Sequence, residues 1–218
     1  MLAAALTILS IVTVPATVGH ISAVIDYLRP VLARSDGVAR LYYDGECRAA
    51  ENDPSGVLHL LFPPVFLRQP LNGATGMPAV QEIFRDDPHV TVTEGQSGIL
   101  KITIGTVSNT VLQTRIPSLT LDPSEQYTAL SAVDKIAIAA DLYAKAHGLP
   151  FGLAPFVIDH IASGPVKGAP HLPGMMRNIT IDDALGAVAR TFKGIVLYGE
   201  CKLPDGKDLF KLDYIYNS

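Results

Sequence analysis

Two cysteines, six histidines and a few adjacent carboxylates are the residue types here that could do chemistry. Both cysteines lie in a phrase that occurs twice. Near the start it is Leu41-Tyr42-Tyr43-Asp44-Gly45-Glu46-Cys47-Arg48, and near the end Leu197-Tyr198-Gly199-Glu200-Cys201-Lys202. In an oxidising compartment Cys47 and Cys201 form one disulfide. Closing a loop of this length stabilises a fold by about 5 kcal/mol in the chain-entropy model. The other chemistry open to them is a thiolate nucleophile, its pKa lowered by Arg48 or Lys202. A duplicated strand exit, in which tyrosine packs, glycine turns and cysteine bridges, accounts for both copies at once and favours the disulfide.

The histidines are His20, His59, His89, His147, His160 and His171. No two have the i, i+4 spacing of helical zinc ligands, and there is no Cys-x-x-Cys, so no metal site and no cofactor is expected. Asp159-His160 and His171 flank a Gly/Pro-rich stretch. Were they to meet in a cleft, Asp159 or Asp182 would orient an imidazole as general base. With Cys47 or Cys201 as nucleophile this makes a hydrolase-like site near 159–171, the alternative to a non-catalytic chain. The plainer reading is loop histidines bonded to nearby carbonyls. Asp86-Asp87 and Asp182-Asp183 are sequence neighbours, which do not face each other on a helix, so they are expected to cap helices and carry surface charge. Gly-x-Ser-x-Gly, Gly-x-Gly-x-x-Gly and the Gly-Lys-Ser/Thr phosphate loop are all missing.

The elements that would position these residues are legible from periodicity. Val24, Leu28, Val31 and Leu32 predict a helix over Ile21 to Ser35, kinked or split at Pro30. Gly37 stops it and Val38 to Tyr43 is a strand, with Asp44-Gly45 a turn or bulge. Val57 to Phe62 is a strand ended by Pro63-Pro64. A short helix from Pro78 to Phe84 leads into a hairpin of Val90–Thr93 and Ile99–Ile104 around a Gly-rich loop. Val107 to Ile116 is a strand or a short helix. One long helix between Pro123 and His147 is predicted, with a capping box at Asp122 and Glu125 and a stop at Gly148. Its inward stripe, Val133, Ile136, Ala137, Ala140 and Ala144, is small enough for close packing. The last unit runs β-α-β-β: a strand Asn178–Ile181, a helix capped by Thr180 or Asp182 and ended by Gly194, then strands Ile195–Tyr198 and Leu209–Tyr216 around Pro204-Asp205-Gly206.

Together these predict an α+β fold of small strand–helix–strand units with mixed sheets, one Ala-rich helix and an echo consistent with internal duplication. The domain spans 20–218, divisible at 20–121 and 122–218, with an irregular connection over 151–175 of the length that is usually functional or a linker. Met1 to Gly19 carries no charged side chain, and Leu2 to Val14 has the length of a signal-peptide core, with Val14-Pro15-Ala16 suited to cleavage. A basic segment before that core is missing. The run is short for a membrane span, which takes about 20 apolar residues. Composition is globular, 48% hydrophobic and 17% charged, and a net charge of −4 with scattered cations does not make a nucleic-acid footprint.

Ile179-Thr180-Ile181-Asp182-Asp183-Ala184-Leu185-Gly186-Ala187-Val188-Ala189-Arg190 resembles the short N-terminal domain of secretins and TonB-dependent receptors. That family's units run from an apolar strand through Thr or Ser, two acids and Ala-Leu into a helix and a strand. Pro78 to Ile104 looks like a looser copy. The resemblance implies an envelope module that binds a protein or peptide and performs no catalysis. Exposed strand edges are the surfaces such a module offers.

Overall fold

The structure, a computed structural model, describes residues 17–35, 37–49, 58–70, 73–95, 98–155 and 167–217. Among them the chain runs β1 (Thr17–Gly19), α1 (Ile21–Arg34), β2 (Ala39–Asp44), β3 (Glu46–Ala49), β4 (Leu58–Leu61), β5 (Val65–Leu67), α2 (Gly76–Ile83), β6 (Val90–Glu94) and β7 (Leu100–Ile104). It continues through α3 (Thr110–Gln113), β8 (Arg115–Thr120), α4 (Pro123–Tyr127), α5 (Ala129–His147), β9 (Phe151–Leu153), β10 (Met175–Thr180), α6 (Ile181–Phe192), β11 (Gly194–Lys202) and β12 (Asp208–Tyr216). The α+β class expected from the pattern is the class observed.

Six strands form one mixed sheet in the order β6-β7-β2-β11-β12-β9, and three two-stranded ribbons pair β1 with β5, β3 with β4, and β8 with β10. In the large sheet β7, β2 and β11 are parallel, while β6 and β12 run against them. The strictly alternating burial of β7 and β12 splits their side chains between two faces. One face packs Tyr42, Val196, Tyr198, Phe210 and Tyr214 against α5 and α6. The other packs Leu41, Tyr43, Ile102, Ile104 and Leu197 against α1 and α2. The result is three layers, with a separate apolar core on each side of the sheet.

The repeated phrase occupies the centre. Strands β2 and β11 are parallel neighbours with Leu41 opposite Leu197, Tyr42 opposite Tyr198 and Asp44 opposite Glu200. Their tyrosines meet edge to face at 5.4 Å. Gly199 does not turn, as the phrase suggested. It lies inside β11, where a Cβ would stand 2.2 Å from the Tyr43 ring. Gly45 is where the other copy departs: a Cβ there would meet the Leu61 carbonyl oxygen at 2.2 Å, and β3 leaves to pair with β4.

Several other boundaries differ from the sequence reading. Helix α1 is not split at Pro30. Pro30 and Asp26, whose carbonyl it leaves without a helical partner, are both exposed, so water solvates the gap. The long helix is two, α4 and α5, because Thr128 adopts extended φ/ψ and interrupts the ladder. The capping box holds, with Asp122 N–H donating to Glu125 at 2.6 Å. Val107 to Ile116 contains both elements, α3 and the start of β8. Phe151 to Met175 is not wholly irregular, since β9 joins the sheet from inside it. Helix α6 is capped by Thr180, whose hydroxyl accepts Asp183 N–H, and ends at Lys193 in the left-handed region (φ 57°). Gly194 already belongs to β11, leaving room for Tyr214.

Candidate functional site

Cys47 and Cys201 are joined in a disulfide. Cys201 lies one residue before the end of β11 on the α1/α2 face, and the bond pins the β3–β4 ribbon over that face, where Phe62 meets Tyr43 edge to face at 4.8 Å. An oxidised pair offers no thiolate, so the hydrolase-like arrangement loses its nucleophile. His171 stacks on Tyr127 at 5.1 Å and bonds the Ala169 carbonyl through Nδ1 at 3.2 Å, as a loop histidine does. Asp159 and His160 lie outside the described residues.

What the parallel strands do assemble at their carboxyl ends is a group of carboxylates. In three-layer α/β sheets this is where ligand crevices form. Glu200, 3% exposed on the α5/α6 face, accepts from the Tyr198 hydroxyl at 2.5 Å, from the Ser108 backbone N–H, and from the Ser108 hydroxyl at 3.3 Å. The same hydroxyl lies 3.4 Å from Asp208, whose other oxygen is 3.7 Å from Lys202 Nζ. Burial pushes the Glu200 carboxyl up, opposed by the Tyr198 and Ser108 bonds and helped by Asp208. Burial and Asp208 raise Asp44 as well. Tyr198, buried beside Glu200, is held protonated as a donor. Every Glu200 oxygen has a partner inside the protein, and no group of residues suited to a metal ion occurs among the described residues. The arrangement is a hydrogen-bonded corner whose Glu200 carboxyl is shifted up by burial, with the Ser108 hydroxyl shared between Glu200 and Asp208.

The acidic pairs are also structural, and they do more than cap and carry surface charge. Asp87, buried, accepts Phe66 N–H and His89 N–H at 2.9 Å each, tying β5 to the entry of β6. Asp182 receives the Tyr42 hydroxyl at 2.7 Å and Arg40 Nη1 at 3.0 Å. The sequence reading missed Arg40 and Glu200. The available signal was a charged residue inside an otherwise apolar strand.

The opposite margin of the sheet is open. Among the described residues strand β6 pairs only with β7, in the unbroken register Val90↔Ile104 to Glu94↔Leu100. On the α5/α6 face, Thr91 and Thr93 are exposed and no helix among the described residues covers them, beside half-buried Lys101 and Thr103. The other edge strand, β9, is three residues long, and its Leu153 N–H is taken by Asp141 of α5 at 3.1 Å.

Comparison with known proteins returns nothing: no family model matches the chain, and no curated protein or solved structure is significantly similar to it. No helix among the described residues is long and apolar enough to cross a membrane.

Proposed function

We propose that this chain is a non-catalytic exported module that binds an extended peptide segment of a partner protein by adding it as a strand to β6. One observation carries the reading. Among the described residues Val90–Glu94 has one unpaired edge, and it lacks the strongest guards against strand addition: it contains no proline, no lysine and no bulge, and its one charge is Glu94 at the end. An exposed edge of this kind supplies main-chain hydrogen bonds to any extended chain, with alternate side chains adding specificity. The disulfide supports export, because such bonds persist in oxidising compartments. Cleavage after Ala16 would leave Thr17, the first residue of β1, at the mature terminus. The likeness of Ile179–Arg190 to the short envelope domains of secretins and TonB-dependent receptors supports the same role.

The test is a titration of the isotope-labelled mature protein with a ten-residue peptide of alternating Val and Thr, followed by amide chemical shifts. Strand addition predicts shifts concentrated at Val90–Glu94. Shifts confined to other elements, or none at millimolar peptide, would reject it.

A further inference from the structure

We infer that the segment received by β6 is acidic: its side chains on the α5/α6 face are carboxylates, drawn by a cationic row that begins one strand inside the edge. The inference rests on the edge reading of β6. Thr93, Lys101 and Arg40 lie side by side across three strands, with Thr93 opposite Lys101 and Lys101 opposite Arg40. Lys101 Nζ and the Arg40 guanidinium stand 4.9 and 5.8 Å from the Tyr42 ring centroid. Arg190 closes the row from α6. A Cβ built on Gly186 would meet Arg190 Nη1 at 3.4 Å and Arg40 Nη1 at 3.6 Å, so the two guanidinium groups converge on one point.

The balance of charge there is positive. Asp182 pairs with Arg40 at 3.0 Å and Asp183 accepts from the Thr180 hydroxyl while keeping its charge, so Arg40, Lys101 and Arg190 stand against two carboxylates. Glu94 has the parity of Val90 and Val92 and points to the opposite face. Lys101 and Arg190 have no carboxylate partner among the described residues, and Arg40 Nε is buried without one. A strand added beside β6 places a residue next to Thr93, about 10 Å or two strand spacings from Lys101. Only the small Thr93 stands between, and Lys101, whose Nζ lies over the Tyr42 ring, meets a glutamate there by swinging its flexible stem toward the edge. Partly exposed charges of this kind choose between partners and steer their approach, and they weaken with salt.

The experiment uses the full mature chain and four fluorescent ten-residue probes read by anisotropy. In three of them Val alternates with Glu, Thr or Lys; the fourth is the Glu probe with alternate backbone amides N-methylated on its pairing edge. The Glu probe should bind about tenfold tighter than the Thr probe at low salt, an advantage erased by Lys101→Met with Arg190→Met and reduced at high salt. N-methylation should abolish its binding. Equal affinity for the Glu and Thr probes, with N-methylation still abolishing both, would overturn the acidic preference and leave the edge reading standing. Undiminished binding of the N-methylated probe, or no binding of any probe, would overturn both. So would a stable dimer in sedimentation that protects the β6 amides, since a second copy would then own the edge.

Discussion

The two ends of the β2–β11 neighbourhood behave in opposite ways. At the carboxyl-terminal corner everything is closed. Cys47 is bonded to Cys201, Glu200 is saturated by Tyr198 and Ser108, and Gly199 lies under the Tyr43 ring. At the β6 margin an edge has no partner among the described residues, and behind it Lys101 and Arg190 stand without a carboxylate there, while Arg40 pairs with Asp182. Both cysteines and Glu200 are thus engaged in holding the fold. The proposed binding edge lies among threonines and a lysine that no motif marks.

This contrast can be broken from either side, beginning where the largest effect is expected. Replacing both cysteines, Cys47→Ser with Cys201→Ser, should cost about 2–5 kcal/mol in denaturant unfolding, since the bond spans 154 residues. A loss under about 1 kcal/mol would show that the corner does not depend on its covalent tie. Gly199→Ala forces a methyl into the Tyr43 ring and should cost about 1–3 kcal/mol. Chemical denaturation of this single variant tests whether close approach, rather than a turn, explains the glycine of the phrase.

Glu200 gives a pH signature. Its folded pKa is raised by burial, so the native state holds the proton more tightly than the unfolded chain. Its contribution is fully present below the ordinary carboxylate range, near pH 4.3, and is lost as pH rises through the raised folded value. Glu200→Gln should flatten that decline in a stability profile measured from acid to neutral pH. Asp44, shifted the same way, would leave a residual slope. An unchanged profile would mean that Glu200 titrates as an ordinary carboxylate. At the open margin, Thr91→Lys should shift stability by no more than about 0.5 kcal/mol, because that side chain is exposed. A larger loss would mean that β6 is covered.

The same division decides what could be foreseen from the chain. Period-3.6 stripes located α1, α5 and α6, and alternation located β7 and β12, because those signals are local. The repeated phrase indicated neighbouring strands, and β2 and β11 are in register. Strand β9 was invisible, since three residues inside a Gly/Pro-rich stretch carry no period. The break at Thr128 depends on one extended residue between two good helical patterns. Glu200 was quoted in the phrase, but its partner Ser108 comes from a loop 92 residues away. The β6 edge was the least legible. Whether Thr91 and Thr93 face solvent depends on which strands fail to pair beside them, a property of the whole sheet order.

Amide hydrogen exchange of Val90–Glu94, measured with and without the Val/Glu probe, tests the central claim most directly. The account predicts that the outward amides of Val92 and Glu94 exchange quickly in the free protein and slow at least tenfold when the probe is added, while β11 is protected throughout. Protection of Val90–Glu94 already complete in the free monomer, or unchanged at saturating probe, would contradict it.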